Sequence, residues 1–225
     1  MPVIAIRGIP GSGKSWIANK LAETGVSAYD TDELLVDEFN KLARTAKFHR
    51  LVRTRVRARP GARPGTRPKT HPRVRPAWDV ELHRRVQARV KAITARAREP
   101  GGPCVAICGV AFPVEATPGG LYFVKLASRD LPAVYRRTAI RNLEAARAAA
   151  GIAIAAAKRA PVDEIAARVE MSVGIRAGAN LTLAEYIAVY RRALESEKKR
   201  GAHVLTQAEI IRRVLKIAAN IPVQK

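Results

Sequence analysis

The sequence predicts an α/β protein built on a five-stranded parallel sheet with helices on both faces. Five short, mainly apolar runs alternate with longer segments of helical periodicity, and these runs are Val3–Ile6, Val26–Tyr29, Cys104–Val110, Leu121–Leu126 and Ala202–Thr206. The first run leads directly into a glycine-rich turn and a helix. Because 225 residues with 48% apolar side chains suffice for one core, we expect a single domain over residues 1–225.

The glycine-rich turn carries the strongest functional pattern of the chain. Residues 8–15 match the phosphate-binding pattern G-x-x-x-x-G-K followed by Ser or Thr. Glycines let backbone N–H groups surround a phosphate chain, and a helix N-terminus favours negative charge. The sequence therefore predicts a nucleoside triphosphate site, with an ordinary strand–helix turn as the alternative. Its predicted residues are Gly8, Gly11, Ser12, Gly13, Lys14 and Ser15. We expect Lys14 to reach the β- and γ-phosphates and Ser15 to ligate Mg²⁺.

Acidic residues follow the second predicted strand. Helical spacing continues from residue 16 to 24, Gly25 is expected to end that helix, and the strand after it leads into Asp30 and Asp32. Ligands of open α/β sheets gather at the carboxyl ends of the strands. Asp30 and Asp32 are therefore candidates for orienting an acceptor hydroxyl, and Asp32 for holding Mg²⁺. Alternatively Asp30 or Thr31 caps the next helix, which is compatible with the catalytic interpretation.

The positive charge of the chain is concentrated in one segment. The net charge is +22, and residues 41–100 contain nineteen Lys and Arg against three acids. Such a block indicates either a binding surface for polyanions, with nucleic acid as the partner of residues 41–98, or a solvated, self-repelling segment. Repeated X-Pro steps predict that 58–77 is a disordered or solvated insertion. Helices are expected on its two sides, over 33–57 and 78–98.

The third predicted strand ends without an acidic residue. Cys104 and Cys108 lie within it and are interpreted as small buried apolar side chains. Gly109 follows Cys108, and the nearest carboxylate is Glu115, so the sequence offers no metal-binding acid at this strand end.

The second half of the chain is predicted to be mainly helical. Asp130 begins a long helix that carries Arg137 and Arg141, which are one turn apart and share a face. One of them is a candidate for neutralising charge on a transferred phosphoryl group, and a solvated basic face is the alternative. A further helix is expected from 161 to 173. The pairs Thr182/Glu185 and Thr206/Glu209 predict capping boxes at the start of the last two helices.

No membrane-protein pattern is present in the sequence. The apolar runs are much shorter than the roughly 20 residues that a membrane-spanning helix needs. The N-terminus has no secretory signal pattern, since Val3–Ile6 is short and leads straight into the turn. We therefore expect a cytoplasmic protein without a membrane partner.

This arrangement resembles the small P-loop kinases, closest in pattern to shikimate kinase, dephospho-coenzyme A kinase and the nucleoside and nucleotide kinases. Residues 8–15 with the nearby aspartates are also similar to the kinase domain of polynucleotide 5′-kinases. The resemblance covers residues 1–40 well and 104–142 loosely. It implies a P-loop NTPase fold in which Lys14 and Ser15 serve ATP and Mg²⁺, Asp30 or Asp32 serves the acceptor and metal, and Arg137 or Arg141 belongs to a lid.

The function that this resemblance implies is ATP-dependent phosphoryl transfer to a small metabolite or nucleotide. Two alternatives remain at the level of the sequence. The acceptor could be the 5′-hydroxyl of a polynucleotide, with the basic segment as its groove. The chain could also be a nucleic-acid-binding protein on an inactive kinase scaffold.

Overall fold

The computed structural model describes residues 2–45, 48, 55–56, 75–109, 112–140 and 182–220. Its strands are β1 (Val3–Arg7), β2 (Ser27–Asp30), β3 (Arg55–Val56), β4 (Arg75–Pro76), β5 (Val105–Cys108), β6 (Leu121–Val124) and β7 (His203–Leu205). Its helices are α1 (Lys14–Glu23), α2 (Thr31–Ala43), α3 (Ala77–Arg98), α4 (131–140), α5 (Leu183–Lys199) and α6 (Gln207–Ala219). Within this described part, no helix combines the length and apolar composition that crossing a membrane requires.

The five strands predicted from the apolar runs form one all-parallel sheet. Their order is β2-β5-β1-β6-β7, so the strand before the glycine-rich turn lies in the centre. The register places Ile6 of β1 opposite Cys108 of β5 and Tyr122 of β6, and Cys108 in turn opposite Asp30 of β2. Because the carboxyl ends of these strands lie along one edge, the glycine-rich turn and Asp30 share that edge.

Helices cover both faces of the sheet, as the sequence predicts. Ile4 and Ile6 of β1 pack with α1 and α6 on one face. On the other face, Val3 packs with α3, and Phe123 of β6 packs with α4 and α5. Every residue of β1 is buried, which explains why this run is apolar at successive positions rather than at alternate ones.

The boundaries of the basic segment differ from those predicted. The helix expected over 33–57 begins at Thr31 and ends at Ala43, and Arg55–Val56 pairs antiparallel with Arg75–Pro76. Residues 75–77 belong to β4 and α3 rather than to the predicted loop. Tertiary packing decides this boundary, since Ala77 and Trp78 are buried and the Trp78 ring lies 5.8 Å from that of Phe39. The rest of the predicted insertion, and the helix expected over 161–173, lie outside the described residues.

Both predicted capping boxes are confirmed. Glu185 accepts hydrogen bonds from the N–H and hydroxyl of Thr182, at 2.7 and 2.9 Å. Glu209 accepts the corresponding bonds from Thr206, at 2.8 and 2.7 Å. These bonds lower the pKa of both glutamates. α5 and α6 therefore begin at residues that local sequence determines.

Removal of one capping box gives a pH-dependent loss of stability. We expect Thr206→Ala to lower the melting temperature by about 2–4 °C at pH 7, because α6 loses its cap. The lowered pKa of Glu209 means that its contribution is present above the usual glutamate pKa and is lost as the pH falls through the lowered value. Melting curves of both proteins should therefore converge partly below about pH 4. A difference that stays constant from pH 7 to pH 3 would contradict this prediction.

Candidate phosphate-binding site

The turn between β1 and α1 has the backbone geometry of an anion cradle. Gly11 and Gly13 have φ angles of 79° and 85°, in the left-handed region that favours glycine. Gly13 is the N-cap of α1, and no side chain caps this helix end. The first N–H groups of α1 therefore have neither an intrahelical acceptor nor a side-chain cap, and they can donate to a bound anion.

Lys14 lies across the same turn. Its Nζ donates hydrogen bonds to the carbonyl oxygens of Gly8 and Ile9, at 2.9 and 3.0 Å. Ser15, the next residue of α1, is exposed at the helix start. The ammonium group of Lys14 therefore lies against the turn, and Ser15 stands at the exposed start of α1.

Three side chains to which no sequence pattern points hold the turn in place. The Tyr186 hydroxyl of α5 donates to the carbonyl oxygen of Pro10 at 2.7 Å. Gln207, the first residue of α6, donates from Nε2 to the carbonyl oxygen of Ser12 at 2.8 Å. Thr138 of α4 packs directly against Gly11, where a Cβ would overlap its hydroxyl. The turn is thus fixed by three helices from the second half of the chain.

We predict that Gly13→Ala destabilises the protein more than Gly25→Ala. Both glycines have nearly the same φ, 85° and 84°, so both variants carry the cost of a left-handed alanine, about 1–2 kcal/mol. At Gly25 a Cβ has no neighbour within 4 Å, whereas at Gly13 it would overlap the Gln207 amide. Gly13→Ala therefore loses in addition the bond to Ser12, worth about 1 kcal/mol. Urea unfolding of both variants measures the difference in the free energy of unfolding. Equal losses of stability in the two variants would contradict the prediction.

Two buried hydroxyls near the cradle have no hydrogen-bond partner in the described part of the chain. Ser12 Oγ lies under Gly8, in the space where a Cβ of that residue would be. Thr31 Oγ1, at the start of α2, lies against Gly109 in the same way. Buried polar groups are nearly always satisfied, so such groups at a cradle are available to a ligand.

Asp30 confirms the capping alternative for the first aspartate. Its side chain is 4% exposed, and its Oδ1 accepts a hydrogen bond from the N–H of Asp32 at 2.8 Å, which caps α2. Asp32 itself is exposed in the first turn of α2. The cap is compatible with a second role, in which the Asp30 or Asp32 carboxylate orients the hydroxyl of an acceptor substrate.

Cys108 lies within electrostatic reach of both Asp30 and Lys14. The pKa of its thiol is raised to about 12, mainly by burial and also by the Asp30 carboxylate, while the Lys14 ammonium lowers it. The thiol is therefore protonated at neutral pH and is not a nucleophile. Cys104 and Cys108 are both free and buried, as predicted. The structure thus brings Asp30 and Lys14 to the same end of the sheet.

The residue directly after β5 is a glycine, Gly109, for a steric reason. The side chain of Thr31 fills the space that a Cβ at Gly109 would need. Among the described residues, no group of three or more His, Cys, Asp or Glu could hold a metal ion. This is compatible with Mg²⁺, which in phosphate sites keeps several waters and takes few protein ligands. Ser15 and Asp32 remain its candidate ligands here.

The two candidate arginines are only partly described. Arg137 is exposed on α4, one residue before Thr138, so it lies on the helix that packs against the turn. Arg141 lies outside the described residues.

Comparison of the chain with protein-family models and with curated protein sequences found no match.

Proposed function

We propose that this protein transfers the γ-phosphoryl group of ATP to a hydroxyl or phosphate of a small metabolite or nucleotide. The observation that carries the proposal is the cradle at residues 8–15. Donors from Lys14, Tyr186 and Gln207 hold the carbonyl oxygens of this turn, while the uncapped start of α1 leaves N–H groups for an anion. A preorganised set of donors at one place is what phosphoryl transfer requires.

In this proposal, different residues of the turn contact different parts of the phosphate chain. The backbone at Gly8, Gly11, Ser12 and Gly13 surrounds the phosphate chain, and Lys14 stabilises the charge on its outer phosphates. Mg²⁺, held by Ser15 and Asp32, would neutralise part of the same charge. Catalysis in this proposal comes from position and electrostatics, with Lys14 as the main protein contribution.

The acceptor is proposed to lie against the end of β2. One oxygen of the Asp30 carboxylate caps α2, and its other oxygen has no hydrogen bond in the described part of the chain. That oxygen is the proposed group for orienting or deprotonating an acceptor hydroxyl. Arg137 or Arg141 would close over the transferred group, since α4 packs against the turn through Thr138.

Ion pairs within the basic segment favour a small acceptor over a polynucleotide. Arg84 and Arg85 of α3 pair with Glu81, and Arg89 pairs with Asp37 and Glu38 of α2. Part of the positive charge that suggested a nucleic-acid groove is therefore already balanced within the protein. The second candidate is a function on nucleic acid, because residues 41–98 are still strongly basic. The chain would then be either a polynucleotide 5′-hydroxyl kinase or a nucleic-acid-binding protein without turnover.

Transfer of labelled γ-phosphate from ATP–Mg²⁺ by the full chain tests the proposal. One acceptor pool contains nucleosides, nucleotides and central metabolites, and the other contains 5′-hydroxyl DNA and RNA oligonucleotides. Label in a small molecule that the Lys14→Met protein fails to transfer would support the proposal. Label on oligonucleotide ends would support the polynucleotide alternative. No transfer to either pool, with nucleic acid still retained on a filter, would overturn the enzymatic interpretation.

A further inference from the structure

A concave site lies at the β7 edge of the sheet, beside α6. It has a volume of about 660 Å³ and is referred to below as the α6 cavity. Its walls come from the edge strand β7 and from α6, and they include Leu205, Glu209, Arg212, Arg213, Lys216 and Ile217. This volume is within the range of small-molecule sites, roughly 300–1,000 Å³.

The α6 cavity has three cations and one acidic residue, Glu209, among its described walls, and Arg212 acts electrostatically on Glu209. Arg212, Arg213 and Lys216 are exposed, and none of them forms an ion pair with another described residue. Glu209, the acidic residue among the cavity walls described, already accepts two hydrogen bonds in the Thr206 capping box. Its charge is thereby held at the start of α6. The cavity therefore presents unbalanced positive charge beside the apolar side chains of Leu205 and Ile217.

A buried hydroxyl lies behind these cations. Tyr122 of β6 is fully buried, and its hydroxyl lies within hydrogen-bond reach of the Arg213 guanidinium. Burial raises the pKa of this phenol and the nearby Arg213 guanidinium lowers it, so the two groups are neighbours. The phenol is neutral at physiological pH, so it does not balance the positive charge of Arg213.

We propose that the α6 cavity binds a small organic anion, whose carboxylate, sulfonate or phosphate group lies against Arg212, Arg213 and Lys216 and whose apolar body packs on Leu205 and Ile217. Charge-assisted hydrogen bonds from arginine are the strong contacts in such a site, and the apolar walls favour a ligand with a hydrophobic part. The proposal is independent of phosphoryl transfer, because none of these residues belongs to the cradle at 8–15.

Fluorescence titration of the full chain with 8-anilinonaphthalene-1-sulfonate tests the proposal, since this probe combines a sulfonate with an aromatic body. We expect the double variant Arg213→Gln/Lys216→Gln to raise the dissociation constant about tenfold or more. The matched control is Arg191→Gln/Lys199→Gln, which removes two positive charges from the walls of a smaller cavity of about 400 Å³ on α5. This control should bind the probe as the wild type does.

Two further measurements distinguish binding in the α6 cavity from binding in the cradle and from a general loss of structure. Lys14→Met should leave binding of the probe unchanged, which shows that the probe is not in the cradle and separates this result from the fate of the proposed enzyme activity. Circular dichroism confirms that each variant is folded. Equal weakening in both double variants, or unchanged binding in the α6 variant, would overturn the proposal. Displacement of the probe by single-stranded RNA but not by small carboxylates would also overturn it, in favour of a nucleic-acid surface.

Discussion

Lys14→Met is expected to reduce phosphoryl transfer about 10²–10³-fold, the range for loss of one preorganised group that stabilises transition-state charge. The variant removes the ammonium group that donates to Gly8 and Ile9, so the cradle loses both its positive charge and one of its internal supports. A methionine keeps a chain of similar length, which limits the effect on packing. The measurement is kcat/KM with ATP–Mg²⁺ and the best acceptor found.

Lys20→Met is the matched control for this variant. Lys20 lies on the same helix, its side chain is 45% exposed, and its described ion pair is with Glu23 at 2.7 Å. Exposed pairs of this kind contribute little, so we expect transfer within about twofold of wild type. A Lys14→Met protein as active as Lys20→Met would remove the main support for the proposed function.

Glu197→Ala is expected to destabilise the protein by about 3–5 kcal/mol, the cost of leaving a buried charge without its partner. Arg7, the last residue of β1, is 6% exposed, and its Nε lies 4.0 Å from Glu197 Oε2 of α5. Burial lowers the pKa of Arg7, and the Glu197 carboxylate opposes that shift. Glu197 Oε1 also accepts a hydrogen bond from Arg200 at 3.0 Å. Since arginine stays charged in any case, the loss of Glu197 leaves the buried Arg7 guanidinium and its neighbour Arg200 without a balancing carboxylate.

Urea unfolding distinguishes this buried pair from a surface one. Glu195→Ala, two residues away on α5, breaks an exposed pair with Lys198 at 3.0 Å and should cost at most about 0.5 kcal/mol. The double variant Arg7→Met/Glu197→Leu should recover most of the stability, because it removes both charges and keeps the volume. A Glu197→Ala protein as stable as Glu195→Ala would contradict the assignment.

Local patterns in the sequence predicted the elements of the fold. The five strands, the turn at residues 8–15 and the capping boxes at Thr182 and Thr206 all depend on residues close together in the chain. Hydrophobic runs, left-handed glycines and side-chain caps act within a few residues, so their physics can be read from the sequence directly. The end of α2 was predicted wrongly: helical periodicity continues past Ala43, but Thr45 bonds to the carbonyl oxygen of Leu42 at the helix end, and the Phe48 ring packs 5.9 Å from that of Phe39.

The sequence by itself thus determined the α/β architecture and the glycine-rich turn that carries the motif at residues 8–15. Only the tertiary structure decided what holds that motif: Tyr186 and Gln207 bond to carbonyl oxygens 176 and 195 residues away along the chain, and Glu197 pairs with Arg7 across the same fold. A tyrosine or a glutamine next to a helix start has no local property that points to such a partner. Each side chain acquires its role because the parallel sheet places the starts of α5 and α6 beside the turn after β1. The number of residues between two positions along the chain does not indicate that they are close in space.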